Sequence, residues 1–225
     1  MAPAIDVRPA RPGDGAAMGR VHADAWKVGY AHIFSAAFLN AIDRAERAEN
    51  WERRIASGAV DGAEVEGGPR SITAVGELDG ELLAICSYGP YRPVAAVDGE
   101  GTPPELCELW GLNVHPDAWG TGLAQAMMGW SLAGLAADHP EPTAVLWVLT
   151  DNGRGRRFYE KQGWAESGVA TTREVRGEPV GAHRYAIDLS PYRAAQPPEA
   201  ALSPSAPATA LSSGSSSQPS GRATT

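Results

Sequence analysis

The chain has 225 residues, 43% apolar and 20% charged, with a formal net charge of -8. That length suits one domain with an appendage better than two full domains. The acidic balance disfavours nucleic acid as a partner, because a phosphate backbone would repel it. No apolar run reaches the roughly 18–20 residues that cross a bilayer. The opening Met-Ala-Pro-Ala-Ile-Asp lacks the basic and apolar segments of a secretory leader. A cytoplasmic protein with no membrane partner is the expectation.

Strand and helix signals alternate along the chain, which points to α/β or α+β architecture. Residues 5–9 alternate apolar and polar, and Arg11-Pro-Gly-Asp14 then supplies a turn and a helix N-cap. Ala17, Met18, Val21, Ala25 and Val28 recur at helical spacing over 16–30. A second helical stretch, with a break, is predicted over 35–56. Its Phe38, Leu39, Ile42, Trp51 and Ile55 face inward, opposite a mixed-charge face that includes Glu52. A Gly-rich linker at 58–69 precedes strands at 71–78 and 81–88, joined by Asp79-Gly80, a strong two-residue hairpin signal. Residues 89–104 read as a long irregular loop. A strand over 105–114, a helix over 121–137 and a strand over 144–149 follow. A helix over 152–162 and strands at 164–175 and 182–189 close the pattern. From about Ala194 the chain is almost entirely Ala, Ser, Pro and Thr, too poor in apolar mass to offset chain entropy. The expected division is a folding unit over 4–192 and a disordered tail over 193–225. Cys86 and Cys107 lie in apolar runs outside any CxxC spacing and read as buried free thiols. The five histidines show no metal-ligand spacing.

The most informative stretch is Leu106–Ala137. A strand runs into Gly120-Thr121-Gly122-Leu123-Ala124 and a helix begins at once. Glycines permit close backbone approach, and a helix's first turn offers unpaired N–H groups with partial positive charge. The combination is an anion cradle suited to phosphate or pyrophosphate, although a plain Gly-containing turn would look the same. A P-loop is absent, and the third small residue and following acid of a dinucleotide fingerprint are not in register.

Three segments in order resemble the GNAT superfamily of N-acetyltransferases. They are Val7-Arg-Pro-Ala-Arg-Pro-Gly-Asp14, Leu112-Asn113-Val114-His-Pro-Asp-Ala-Trp119-Gly120-Thr-Gly122-Leu-Ala124, and Asn152 through Phe158-Tyr159-Glu160-Lys161-Gln-Gly163-Trp164. The resemblance covers most of residues 5–189. It implies a single α/β (α+β) domain with a mixed, mostly antiparallel sheet of about seven strands. Helices would cover both faces, with a splayed strand pair at the cofactor site. It also implies acetyl-CoA as acyl donor, a primary amine as acceptor and, as is common in the superfamily, a homodimer.

By that resemblance Leu112, Asn113 and Val114 would pair with the pantetheine arm. Trp119, Gly120, Thr121, Gly122, Leu123 and Ala124 would hold the pyrophosphate, and Asn152 would reach the cofactor unless it is simply an N-cap. The superfamily usually has Gln or Arg at Trp119, so there only the backbone N–H would serve while the side chain packs. A backbone N–H at Leu112 or Asn113 would stabilise the thioester oxyanion. Tyr159 stands at the general-acid position and would protonate the leaving thiolate; its other reading is a core tyrosine. Glu108 shares a strand face with Trp110, Leu112 and Val114, and is the candidate base, with Glu105 in reserve and a structural carboxylate as the alternative. Trp26, Tyr30, His32 and Phe34 would build the acceptor pocket or pack together. Acidic residues near the acceptor side, Asp98, Glu100, Glu105 and Glu108, would favour a small cationic amine. Two other functions are compatible with the motifs: acetylation of a protein lysine or N-terminus, and a catalytically silent acyl-CoA-binding module.

Overall fold

A computed structural model describes residues 3–57, 71–99, 105–175 and 177–194. The elements in chain order are β1 (Ile5–Pro9), α1 (Gly15–Gly29), α2 (Ala36–Asn40), α3 (Arg44–Ser57), β2 (Ile72–Leu78), β3 (Glu81–Pro90), α4 (Ala95–Asp98), β4 (Cys107–Val114), a 3-10 turn (Pro116–Ala118), α5 (Leu123–Asp138), β5 (Thr143–Leu149), α6 (Gly153–Lys161), β6 (Ala165–Val175), β7 (Glu178–Asp188) and α7 (Ser190–Ala194). The strands form one seven-stranded sheet in the order β1-β2-β3-β4-β5-β7-β6. Only β4 and β5 run parallel; every other neighbouring pair is antiparallel.

Side-chain alternation puts one core on each face. Ala74 of β2 and Ala84, Cys86 and Tyr88 of β3 pack with Leu123, Met127, Leu132 and Leu135 of α5. Their neighbours Val75 and Ile85 pack on the other face with Met18 and Val21 of α1 and Trp51 of α3. The strand faces thus need both α1/α3 and α5, which is the layered arrangement expected. Cys86 and Cys107 are buried free thiols, and burial pushes both up to about 12. Among the described residues, no helix is long and apolar enough to cross a membrane.

Local signals explain most boundaries. Asp79 and Gly80 both take positive φ, 51° and 84°, the mirror-image turn that matches strand twist. The stretch at 35–56 breaks because Ser35 caps α2 through Phe38 N–H and Asp43 caps α3 through Glu46 N–H, at 3.1 and 2.8 Å. Two expectations need correction. Asp14 occupies the cap position of α1, but its carboxylate accepts from Arg8 at 2.7 and 3.0 Å and from Arg11 N–H. The α1 entry is instead capped by Glu52 of α3, which accepts from Gly13 and Gly15 N–H at 2.8 and 3.1 Å, so this residue of the charged face is tied down. The segment read as irregular from 89 is ordered to residue 99. There β3 continues to Pro90, and Asp98 accepts from Tyr91 Oη at 2.7 Å and Val94 N–H at 2.8 Å to close α4. The end of that loop, the whole 58–69 linker region and the tail from 195 onward lie outside the described residues.

Candidate active site

The site begins with a failure of strand pairing. Parallel β4 and β5 are in register at only two positions, Cys107 with Ala144 and Glu108 with Val145. Beyond them the strands diverge. His115 N–H donates to Leu83 carbonyl at 2.8 Å, which sets the phase of β4 against β3. Alternation then turns the polar backbone groups of Asn113 toward β3 and those of Leu112 and Val114 into the gap. Where the sequence offered Leu112 or Asn113 as oxyanion donor, this phase gives the gap to Leu112. The bulge falls between Ser87 and Tyr88, where the partner residue jumps from Gly111 to Leu109. Trp110, at the bulge, is re-aimed so that its indole donates to Pro90 carbonyl at 3.0 Å.

At the end of β4 the chain turns through Gly120 (φ 82°) and Gly122 (φ 97°) into α5. Gly122 is the N-cap residue, and neither a capping side chain nor an acidic residue occupies the first turn. Ala126 N–H reaches Gly122 carbonyl at 3.1 Å, so the amides of Ala124 and Gln125 precede the first closed helical turn. Both residues, with Gly120 and Gly122, line a cavity of about 230 Å³. Thr121 and Leu123 do not line it. Thr121 Oγ1 donates to Ala118 carbonyl at 2.8 Å, fixing the loop, and Leu123 is fully buried in the core.

Trp119 supplies part of the wall and packs as its sequence context suggested. Its indole donates to Val114 carbonyl at 2.8 Å, which leaves Val114 only its N–H for the gap. The Arg154 guanidinium lies 3.2 Å from the centre of its ring. Arg154 was missed in the sequence; it lines the same cavity, and desolvation lowers its pKa.

A second cavity, of about 370 Å³, lies on the other side of the splay. The two share Tyr30, Leu112, Asn113, Asn152 and Tyr159. Asn152 caps α6 by accepting from Gly155 N–H at 2.9 Å, and it lies on the wall of both cavities. A Cβ on Gly155 would come within 2.5 Å of Asn152 Nδ2, so glycine is needed for that fold-back. The Tyr159 ring sits edge-on to Phe158 and Trp164. Its hydroxyl has no hydrogen-bond partner among the described residues. Burial, and secondarily the neighbouring Tyr30 and Cys86, raise its pKa well above that of an ordinary phenol.

Glu108 is 1% exposed and is not on the wall of either cavity. Its carboxylate accepts from Arg92 N–H at 3.0 Å, Nε at 3.3 Å and Nη2 at 2.7 Å. Asp98 and Glu105, the other described acids expected near the acceptor, do not line the larger cavity either. Asp98 is bound by Tyr91, Val94 and Arg184, Glu105 is exposed, and Glu100 lies outside the described residues. The larger cavity instead carries Arg54, Arg92 and Arg173, with His22 and Glu174. Trp26 and Tyr30 line it, whereas His32 bonds Asp151 carbonyl at 3.0 Å and Phe34 stacks on Phe38 at 4.4 Å.

The profile of the acetyltransferase (GNAT) family matches residues 23–164, which runs from within α1 past the end of α6 and includes β4, β5 and the glycine turn into α5. The chain belongs to the acetyltransferase (GNAT) family. It is similar to the mycothiol acetyltransferase of Mycobacterium leprae, 38% identical over 72 residues, which is 30% of this chain and 23% of that relative's length. Among solved structures, the PaiA N-acetyltransferase of Thermoplasma acidophilum in complex with coenzyme A superposes with TM-score 0.56 at 16% identity. That match covers 80% of this chain and 98% of the other. The putative acetyltransferase YncA of Salmonella typhimurium, with acetyl-CoA, gives 0.55 at 17% identity over 83% and 95%. These likenesses show that this GNAT chain shares their overall fold.

Proposed function

We propose that this chain transfers an acetyl group from acetyl-CoA to the primary amine of a small molecule, with both bound at once. The observation that carries the reading is the meeting of two cavities at Leu112, Asn152 and Tyr159. One has the backbone chemistry of a pyrophosphate cradle, and the other is a concave pocket within the usual size range for small ligands. The residues present fit the coenzyme. Ala124 and Gln125 amides, reinforced by the α5 dipole and the Arg154 cation, would hold the pyrophosphate. Leu112 carbonyl, with Val114 N–H, would pair with an amide-bearing arm laid into the gap. Bound there, acetyl-CoA supplies an acetyl group activated as a thioester.

Leu112 N–H, facing the gap, donates toward the carbonyl oxygen where negative charge develops. Tyr159 holds its proton through the neutral range, because burial raises its pKa, and gives it to the departing thiolate. An alkylamine arrives mostly protonated, so its proton must leave before attack. Glu108 is engaged by three Arg92 donors; we assign it the positioning of Arg92 at the cavity wall. The proton departs through water, with His22 and Glu174 as the bases on that wall.

Two measurements test the reading together. Calorimetric titration with coenzyme A reports the cradle, and free-thiol release from acetyl-CoA across a panel of primary amines reports transfer. Coenzyme binding with amine-dependent thiol release is expected. Binding without release for any amine would leave a silent acyl-CoA module, and no binding would remove the cofactor reading.

A further inference from the structure

The larger cavity is charged in a way the established family membership does not explain. Asp98 is spent on Arg184, at 3.3 Å, and on Tyr91. Glu108 is spent on Arg92 at 2.7 Å. Arg173 of β6 lines the same cavity, half-buried, and makes no ion pair or hydrogen bond among the described residues. Its guanidinium lies over the Trp147 ring at 5.5 Å, while Arg92 lies over Trp110 at 4.7 Å. Among the described residues, Glu108 and Asp98 are thus taken by Arg92 and Arg184, and Arg173 is left without an ion-pair partner. Burial lowers the Arg173 pKa, Glu108 acts at longer range to raise it, and Arg92 opposes. Glu174 on the same wall is exposed, and no ion pair joins it to Arg173. Arg54 also lines the cavity, 4.8 Å from the Trp51 ring centre. Two further donors are available. Arg92 uses its N–H, Nε and Nη2 on Glu108, leaving Nη1. The Trp147 indole N–H is buried with no acceptor among the described residues.

A half-buried guanidinium without a partner is costly to keep in a folded protein, and its planar fork matches a carboxylate bidentately. We propose that the acceptor is a carboxylate-bearing amine, amino-acid-like, whose carboxylate binds Arg173 with help from Arg92. The proposal rests on the acetyl-transfer reading and sharpens it: the acceptor is a zwitterion with a single anionic group, not a polycation. The aromatic walls Trp26, Trp110 and Trp147 supply apolar contact for its side chain. Of the acids expected from the sequence to form an acidic approach, Asp98 and Glu108 are already held by Arg184 and Arg92, so these two give no basis for selecting extra positive charge.

The test compares matched acceptors with acetyl-CoA and the full chain: phenylalanine, its methyl ester and phenethylamine; methionine, its methyl ester and 3-(methylthio)propylamine; and the remaining proteinogenic amino acids. Coenzyme binding is measured on the same samples. The ester carries the more readily neutral amine, so a preference for the free acid runs against intrinsic reactivity. At least one free acid is expected to exceed its ester in kcat/KM by about 10-fold or more, as a charge-assisted hydrogen bond allows. In Arg173→Gln the ratio should fall to within about 3-fold and in Arg173→Lys it should be intermediate, with coenzyme affinity unchanged. A wild-type ratio near one, or a ratio unmoved in Arg173→Gln, overturns the proposal. Coenzyme bound with no carboxylate-bearing amine acetylated overturns it as well. Loss of coenzyme binding in the wild type would instead overturn the acetyl-transfer reading beneath it.

Discussion

Replacing Tyr159 by Phe removes one oxygen from the point where the two cavities meet, and the structure fixes opposite expectations for activity and stability. The hydroxyl has no hydrogen-bond partner among the described residues, so no bond is broken in the folded state. Leaving a buried hydroxyl unpaired costs about 1–3 kcal/mol. Because Tyr159 borders a cavity, the lower end applies. The variant should be as stable as the wild type or up to about 1 kcal/mol more stable, a rise of roughly 2–4 °C in Tm for a domain of this size. Coenzyme affinity should be unchanged, since the cradle is backbone from α5. Loss of a proton donor to the thiolate costs about 10²–10⁴ in rate, and it should appear in kcat. The pH profile supplies a second check. With its pKa raised, Tyr159 remains a donor above the ordinary phenol value of about 10, so the wild-type rate should not fall through that value on its account. The assays are thiol release, calorimetry with coenzyme A and thermal unfolding without ligand. Activity retained within about 3-fold would refute the acid role, and a Tm lower by more than about 5 °C would refute the unpartnered hydroxyl.

Glu108→Gln leaves Arg92 facing a neutral amide. Breaking a buried pair costs about 3–5 kcal/mol; with the Arg92 side chain 39% exposed, about 2 kcal/mol is expected in urea unfolding, with part recovered in the double variant that also carries Arg92→Met. Gly122→Ala places a Cβ on a residue at φ 97°, straining the backbone by about 1–2 kcal/mol; coenzyme Kd should rise about 10-fold as the cradle shifts, read by calorimetry. Arg8 is the main cause of the lowered Asp14 pKa. The stability it brings is present above the unfolded carboxylate value near 3.9 and is lost as pH falls through the lower folded value. Asp14→Asn should therefore cost about 1–3 kcal/mol at pH 7, and the gap to wild type should narrow progressively in urea titrations as pH falls below the ordinary carboxylate range.

What could be read from the sequence was what is encoded locally. The Asp79-Gly80 turn, the helical start at 35 and the Gly120-Thr-Gly122 entry to α5 each depend on residues within a few positions of one another. Tyr159 and Asn152 followed from one contiguous segment. The acceptor side was not legible, because its decisive contacts join distant segments. Arg92 meets Glu108 across 16 positions, and Arg173 comes from β6 in the other half of the sheet. A strand carboxylate beside the reaction centre looks the same in sequence whether it is free to take a proton or held by an arginine. Charge counted along the chain likewise says nothing about which acids are already paired. Glu52, which caps a helix from another helix, escaped notice for the same reason.

The splay has a bearing on the protein's life outside the catalytic cycle. Strand pairing joins β1-β2-β3-β4 to β5-β7-β6 at only two positions, beside the core they share with α5, and the coenzyme's arm would add hydrogen bonds across the same seam. Occupancy then stitches the sheet, with about 2.7 kcal/mol of added stability when ligand stands at 100 times its Kd. In a cell short of acetyl-CoA and coenzyme A, this seam is where amides would exchange first and where a protease would find its opening. The donor pool would set how long the enzyme lasts as well as how fast it works.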